Sequence, residues 1–252
     1  LSGRMCAAHR LEILDTVRER LKQKLPCRVV STQLIEAGVD VDFPKVLRSL
    51  AGIDSIAQAA GRCNREGRLE WGEVIVFYPE RHGMPSKGWM KETALEAQNE
   101  LSSGIDPLSL ECINNYFERI HGIRANQRDK VTDAKQILPL IRAKSNLEIP
   151  YEEIADKFKL IEEITQTVVI PYNDKAVELI AELEHVLYPT NTIRKLQSYI
   201  VQIYNFELTG LIKLGIIRQV AGVLCLTDRG YYNKASGLLT AEDTPESEVL
   251  IY

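Results

Sequence analysis

The sequence has few cysteines, and they do not follow a recognisable framework. The five are an odd, scattered set without a CxxC pair, which argues against a disulfide scaffold and against a cysteine-rich zinc site. No stretch approaches the roughly 18 apolar residues that a membrane-spanning helix needs, so no membrane partner is expected. The first ten residues are too polar for a secretory signal. These absences together predict a protein of the reducing cytoplasm.

Several catalytic signatures are also missing. The chain contains no GxxxxGK[ST] phosphate loop and no Asp-Glu-x-His/Asp run that could hold Mg²⁺. None of its four histidines is followed by an aspartate, so a His-Asp metal pair is excluded. No metal ligands are therefore predicted within these 252 residues. Because the sequence also lacks an initiator Met, we expect it to be part of a longer protein.

Charge is distributed unevenly along the chain. Residues 1–68 contain twelve Lys and Arg against eight Asp and Glu, whereas the remainder contains nineteen against twenty-seven. This asymmetry does not favour a protein that coats nucleic acid with its whole surface. An anion, a nucleotide or a phosphate backbone could still bind the basic first quarter, although an unevenly charged solvated surface explains the same pattern.

Hydrophobic patterning in the first third predicts alternating helices and strands. Residues 9–25 have the spacing of an amphipathic helix, and a second helix is expected from Ser55 to Asn64. The β-branched or apolar runs Cys27–Thr32, Lys45–Ala51 and Glu73–Tyr78 predict strands. Strands that alternate with helices at this spacing predict a parallel sheet covered by helices.

The rest of the chain has a different hydrophobic pattern. Residues 90–144 have helical spacings, and a mixed α and β pattern follows from residue 146. Within that pattern we expect a strand around Thr167–Ile170, a helix capped by Asn173, and a hairpin that turns at Ala221–Gly222. The predicted domains are 1–85, 86–145 and 146–252.

Two adjacent segments carry most of the functional information, STQLIEAGVDVDF at 31–43 and QAAGRCNREGR at 58–68. Arg62 and Arg65 are three residues apart, which on a helix places both guanidinium groups on one face, with Cβ atoms about 5–6 Å apart. Two planar, permanently charged groups suit a polyphosphate. Gln58 would lie one turn earlier on that face, and Gly61 would allow close approach of a ligand. The alternative is that these arginines only pair with surface carboxylates.

Together the two segments resemble the fifth and sixth motifs of superfamily 2 helicases. The longer phrases STQLIEAGVDVDFPKV and AGIDSIAQAAGRCNREG are similar to one family, the CRISPR-associated helicase-nucleases of type I interference. Looser similarity to that family extends through RKLQSYIVQIYNFEL and YYNKASGLL. The resemblance implies an α/β fold: part of a second RecA-like parallel sheet with flanking helices, a helical linker, and a small α+β C-terminal domain.

The resemblance also implies a role for each matching residue. Arg62 and Arg65 would be arginine fingers that meet the γ-phosphate of ATP, and Gln58 would help to orient that phosphate. Gly38 and Asp40, together with Gly61, would approach the nucleotide. Ser31 and Thr32 would contact a phosphate of the DNA strand. A plain turn aspartate at Asp40 and an ordinary strand residue at Thr32 are the simpler alternatives, and Glu36 and Cys63 are expected to be surface and packing residues.

The implied activity is that of an ATP-dependent DNA helicase coupled to a nuclease that degrades single-stranded foreign DNA. ATP and Mg²⁺ would be bound mainly by a first RecA-like domain, and a divalent metal would serve a separate N-terminal nuclease domain, so this chain alone is expected to be inactive. The implied partners are those two domains, single-stranded DNA, and a surveillance complex guided by CRISPR RNA. The motor lobe of another superfamily 2 helicase, such as an RNA helicase or a restriction or repair translocase, and a non-enzymatic interaction module remain alternatives.

A possible DNA-contacting surface lies in the C-terminal third. Arg194 and Lys195 supply positive charge there, and Tyr199 and Tyr204 supply aromatic rings. The competing interpretation assigns both tyrosines to the core face of a strand.

Overall fold

The computed structural model describes residues 1–36, 38–79, 88–122, 136–142, 149–158 and 165–240. The chain divides into two compact units: a central unit, Glu36–Ile161, and a terminal unit that combines Leu1–Ile35 with Glu162–Tyr252. The domain boundaries expected from the sequence stay a prediction, but contacts within the chain group the first 35 residues with the C-terminal part. Within the described ranges, no helix has the length and apolarity needed to cross a membrane.

The central unit contains the predicted parallel strands. Strand β1 (Lys45–Ser49) lies beside β2 (Glu73–Phe77) with five residue pairs in parallel register. Helix α2 (Ile53–Ala60) lies between them in the chain and forms the crossover that parallel strands require. Both strands and the helix confirm the sequence-based expectation of alternating elements, although α2 ends four residues before the predicted Asn64.

Helices follow the two strands in the described part of the central unit. They are α3 (Trp89–Ser102), α4 (Leu110–Gly122), α5 (Ile137–Arg142) and α6 (Tyr151–Lys157), which agrees with the helical pattern predicted for 90–144 and just beyond it. Residues 123–135 and 143–148 of that pattern lie outside the described residues. The core of the unit joins α2 to α3 and α4 through Ile53, Ile56, Ala97, Cys112, Tyr116 and Ile120. This core holds α2 in place and thereby positions the residues that follow it.

The run Cys27–Thr32 is not a strand, and this prediction is wrong. Val30 is 90% exposed. The backbone of the run contacts Leu1, whose ammonium group donates to the Val30 carbonyl at 2.6 Å and whose carbonyl accepts from Thr32 N–H at 3.1 Å. β-Branched residues favour a strand only where a neighbouring strand and an apolar surface receive them. Among the described residues, no neighbouring strand pairs with this run.

A four-stranded sheet forms the centre of the terminal unit. Its strand order is β4 (Ile200–Tyr204), β3 (Thr165–Val169), β6 (Val223–Leu226) and β5 (Ile217–Val220). β3 pairs antiparallel with β4 and parallel with β6. The β5–β6 hairpin turns at Ala221 and Gly222, both with positive φ, which confirms the predicted two-residue turn.

Helices complete the terminal unit: α1 (Ala7–Lys22), α7 (Asp174–Leu183), α8 (Thr190–Leu196) and α9 (Asn205–Lys213). The Asn173 side chain accepts from Ala176 N–H at 3.0 Å, so the predicted cap of α7 is confirmed. The buried core draws on the sheet, on α7 to α9 and on the N-terminal segment, and its members include Cys6, Val168, Ile170, Leu183, Leu196, Leu211, Cys225 and Leu238.

The N-terminal segment is tied to the C-terminal end of the chain. A short strand pair, β7 (Tyr232–Asn233) with β8 (Gly237–Leu238), lies against it, and Leu238 N–H donates to the Arg4 carbonyl at 2.9 Å. The Arg4 guanidinium donates to Glu207 at 2.7 Å, and Cys6 N–H donates to the Tyr232 hydroxyl at 3.1 Å. These bonds join residues more than 200 positions apart and make α1 part of the terminal core.

His9 is enclosed in this junction. It is 4% exposed, its Nδ1 lies 2.9 Å from the Tyr232 hydroxyl, and its ring stacks on Tyr172 at a centroid distance of 4.8 Å. Burial lowers the pKa of His9, while Glu12 opposes this shift and the N-terminus and Lys234 add to it. The folded state therefore favours the neutral imidazole.

We expect the free energy of unfolding to decrease as the pH falls below about 6.5. In that range the unfolded chain binds a proton at His9 that the folded chain resists, and the loss continues until the pH reaches the lowered pKa of the folded state. Urea unfolding between pH 7.5 and 5 measures this dependence. His9→Asn should flatten it, whereas His185→Asn, at an exposed position, should leave it unchanged. An identical pH dependence in His9→Asn would contradict the assignment.

Candidate functional site

The structure brings the two motif segments together. Phe43 N–H donates to the Arg62 carbonyl at 2.9 Å, and Asn64 N–H donates to the Phe43 carbonyl at 2.8 Å. The result is an isolated parallel bridge between Phe43 and Cys63. Residues 38–43 therefore lie alongside 61–65, as a shared site requires.

Arg62 and Arg65 do not lie on one helical face, so that part of the prediction is wrong. Helix α2 ends at Ala60, and the chain continues through a tight turn in which Arg62 N–H donates to the Ala59 carbonyl at 3.0 Å. Asn64 then has a φ of +47°, which a helix does not accommodate. Its side chain both donates to the Leu69 carbonyl and accepts from Leu69 N–H, at 2.8 and 2.9 Å. A turn fixed by these bonds, rather than a helix, presents the two arginines.

Arg65 is held by two aspartates of the first motif. Its Nη1 lies 2.9 Å from Asp40 Oδ1, and its backbone N–H donates to Asp42 Oδ1 at 2.7 Å. The side chains of Arg65 and Asp40 are 42% and 77% exposed, respectively. An ion pair this exposed contributes about 0–1 kcal/mol, so a stronger anion can readily replace Asp40. The surface-pairing alternative from the sequence is thus realised at Arg65, but the contact is weak.

Arg62 is more enclosed than Arg65. It is half-buried, and its Nη2 donates to the Glu36 carbonyl at 2.8 Å. Glu36 itself is not the surface residue that the sequence suggested, because its side chain is 12% exposed and pairs with Arg48 at 2.8 Å. Its only sequence signal is a charge among apolar neighbours in QLIEAGV, which does not identify Arg48 as its partner.

The remaining predicted residues differ in their surroundings. Gln58 is exposed on the last turn of α2, one turn before Arg62. Gly38 has a φ of +74° with nothing within 4 Å of the position of a Cβ, so its conformation, rather than crowding, favours glycine. Gly61 is exposed with a φ of −63°, so its backbone conformation does not require glycine. Ser31 and Thr32 belong to the terminal unit, whereas the other candidates belong to the central unit.

The chemistry of this surface suits anion binding. Residues 58–65 carry two guanidinium groups and an amide as donors, and the carboxylates of Asp40 and Asp42 lie against Arg65. Burial raises the pKa of the neighbouring Cys63 thiol, which keeps that group neutral. Across the described residues, no three His, Cys, Asp or Glu side chains are grouped in a way that could hold a metal ion.

Comparison with known proteins shows a likeness to one family. Residues 1–68 match the model of the C-terminal region of the CRISPR-associated nuclease/helicase Cas3. A CRISPR-associated nuclease/helicase Cas3 from Haloferax volcanii is 32% identical over 160 residues, a span that covers 52% of this chain and 16% of the relative. The chain is therefore similar to Cas3 proteins over part of its length. The Cas3 of Methanothermobacter thermautotrophicus is also 32% identical, over 81 residues that cover 31% of this chain and 10% of that protein.

Solved Cas3 structures have the same fold. The structure titled T. fusca Cas3-ADP covers 90% of this chain and 32% of its own, with a TM-score of 0.51 at 16% identity. A crystal structure of a CRISPR-associated protein covers 94% of this chain and 31% of its own, with a TM-score of 0.50 at 17% identity. This chain therefore spans about a third of the length of these structures and a smaller share of the curated relatives. The overall α/β class expected from the sequence is confirmed.

Proposed function

We propose that this chain supplies part of the second motor lobe and the C-terminal domain of an ATP-dependent Cas3 helicase-nuclease. Bound to the γ-phosphate, Arg62 and Arg65 stabilise the negative charge that develops during hydrolysis. The bridge between Phe43 and Cys63 is the observation that carries this proposal, because it holds the arginines beside Gly38 and Asp40. Hydrolysis releases the free energy that drives the motor along DNA.

The two arginines take different parts in this scheme. The Glu36 carbonyl holds Arg62 before substrate arrives, so that side chain loses little conformational freedom on binding. Arg65 exchanges Asp40 for a phosphate oxygen, and Asp40 is left to accept from the ribose or to face the metal-bound phosphates. Gln58 adds an amide donor from the end of α2. The phosphate loop and the Mg²⁺ ligands come from a first RecA-like domain, so the isolated chain does not hydrolyse ATP.

Single-stranded DNA is the proposed polymer substrate. Thr32 is exposed and contacts its phosphates, whereas the Ser31 hydroxyl is buried. Exposed aromatic rings of the terminal unit stack on its bases. Tyr204 and Phe206 are 50% and 70% exposed and stack on each other with centroids 5.6 Å apart and planes 13° apart. Base stacking on such rings contributes about 1–3 kcal/mol per base. Tyr199, in contrast, is 6% exposed and belongs to the core, so the core interpretation holds for Tyr199 and not for Tyr204.

The remaining parts of the proposal concern the whole protein. A surveillance complex guided by CRISPR RNA marks the foreign DNA, and a nuclease domain with its own divalent metal cuts the strand that the motor delivers. Both partners lie outside this chain. The protein works in the cytoplasm, where its five cysteines stay reduced.

The test is ATP hydrolysis by a full-length protein that carries this chain with its phosphate-loop domain. We expect single-stranded DNA to stimulate turnover strongly and RNA of the same length to do so weakly, with the isolated 252-residue chain as the inactive control. Stimulation by RNA alone would favour an RNA helicase instead. Absence of hydrolysis with either polymer, in a protein that melts normally, would favour an interaction module.

A further inference from the structure

A closed network of three side chains lies directly behind Arg62. Arg48 on β1 pairs with Glu36 at 2.8 Å and donates to the Ser55 hydroxyl at 2.8 Å, and Ser55 on α2 donates to the other oxygen of Glu36 at 2.7 Å. The side chains of Arg48 and Glu36 are 16% and 12% exposed, respectively, and Ser55 is buried. The network joins the first motif segment to the strand and the helix that frame the site.

Stability alone does not account for this network. Removing two charges from water costs free energy that their attraction often fails to recover, so well-packed apolar side chains serve a fold equally well. Arg48 carries an additional cost, because its buried Nε has no hydrogen-bond partner among the described residues. An ion pair that is costly to bury and leaves a buried donor unpaired points to a role in orientation.

The network restrains the backbone of Glu36. With its carboxylate held at both oxygens, residue 36 cannot rotate or shift freely, and its carbonyl accepts from Arg62 Nη2 at 2.8 Å. The backbone of Arg62 is held independently, since its own carbonyl accepts from Phe43 N–H. The backbone and the guanidinium group of Arg62 are therefore both held by residues of the first motif segment.

We propose that Arg48, Glu36 and Ser55 form a positioning network that aims the Arg62 guanidinium at the γ-phosphate. This inference rests on the proposed function, in which Arg62 touches the phosphate. Glu36 itself is a positioning residue and acts through its backbone carbonyl. A displacement of about 1 Å in a catalytic group costs up to about 100-fold in rate, which sets the size of the expected effect.

The experiment replaces Glu36 in the full-length protein and measures DNA-stimulated ATP hydrolysis per folded molecule. Glu36→Ala removes the anchor and should lower kcat by about 10- to 100-fold with little change in KM, because binding of ATP depends mainly on the other lobe. Glu36→Gln keeps the shape and one carbonyl acceptor, so it should recover part of the loss. In an Arg62→Ala background, Glu36→Ala should cause no further loss, since the two changes remove one interaction.

A second buried ion pair in the same unit supplies the matched control. Glu100 is 2% exposed at its side chain and lies 3.1 Å from Arg119. Glu100→Gln removes a buried charge and should lower the melting temperature. No described contact joins Glu100 to Arg62, so kcat should remain at the wild-type value.

The outcomes distinguish an error in the positioning network from an error in the proposed arginine-finger role. If Arg62→Ala is inactive while Glu36→Ala matches Glu100→Gln in kcat, the positioning network is wrong and the arginine finger stands. Losses that multiply in the double variant also overturn the network. If Arg62→Ala itself keeps its turnover, the proposed function fails, and the positioning role fails with it.

Discussion

Replacing Arg62 or Arg65 with Ala should lower the ATP turnover of the full-length protein by about 10³- to 10⁵-fold, with only a small decrease in its melting temperature. An arginine finger stabilises charge that exists only in the transition state, and this loss corresponds to about 4–7 kcal/mol. The exposed pair of Arg65 with Asp40 is worth about 0–1 kcal/mol, so its removal cannot produce an effect of that size through folding. Steady-state hydrolysis measured beside thermal melts distinguishes the two interpretations.

Two further variants sharpen this test. Arg65→Lys keeps the charge but loses the planar pair of donors, so it should fail to restore turnover. Arg68→Ala is the matched control, because Arg68 lies in the same loop and its guanidinium pairs with Glu66. A well-folded Arg62 or Arg65 variant that keeps more than about a tenth of wild-type turnover would refute the finger assignment.

The proposed nuclease activity of the whole protein offers a second readout of the same variants. Unwinding and processive degradation of duplex DNA should stop, because the motor no longer delivers a strand. Cutting of DNA that is already single-stranded should survive, since the proposed metal site lies in another domain. Loss of both activities together would instead indicate that the variant is misfolded.

The sequence predicted those elements that depend on neighbouring residues. Strands β1 and β2 follow from short apolar runs, the cap at Asn173 follows from one side chain and its next turn, and the hairpin at Ala221 follows from a two-residue turn. Each of these signals lies within a few residues of the element that it specifies. The Phe43–Cys63 bridge places residues 38–43 beside 61–65. The grouping of the two motif segments into one site came from family resemblance rather than from spacing, and the roles of their residues stay predictions.

The errors arise where distant residues decide the conformation. Cys27–Thr32 has the composition of a strand, but no neighbouring strand accompanies it in the described residues. Spacing placed Arg62 and Arg65 on a helix, whereas the Phe43 bridge and the Asn64 turn end that helix at Ala60. Glu36 was assigned to the surface because its partner, Arg48, is twelve residues away and identifiable only from the fold.

The packing of the N-terminal segment on the C-terminal strands joins residues that are farthest apart in the sequence, and Gly237 lies at this contact. A Cβ at Gly237 would lie 2.3 Å from the Arg4 carbonyl oxygen and 2.7 Å from Met5 N. Both contacts are with backbone, which cannot rotate away as a side chain can. Gly237 also has a φ of +92°, a conformation that costs an L-residue about 1–2 kcal/mol.

We therefore expect Gly237→Ala to lower the free energy of unfolding of the 252-residue chain by about 2–5 kcal/mol, the sum of backbone strain and overpacking. The clash should also break the bond from Leu238 N–H to the Arg4 carbonyl and disturb the buried residues Met5 and Cys6. Urea unfolding measures the first effect, and amide hydrogen exchange at Leu238 measures the second.

Gly222→Ala is the matched control, because Gly222 has a similar φ of +83° with nothing within 4 Å of its Cβ position. It should lose only the strain contribution of about 1–2 kcal/mol, and the difference between the two variants isolates the contact with Arg4 and Met5. Equal losses in both variants would show that the N-terminal segment does not pack against β8 in solution. A larger loss in Gly237→Ala, accompanied by faster exchange at Leu238, would establish that residues 1–35 fold as part of the terminal unit.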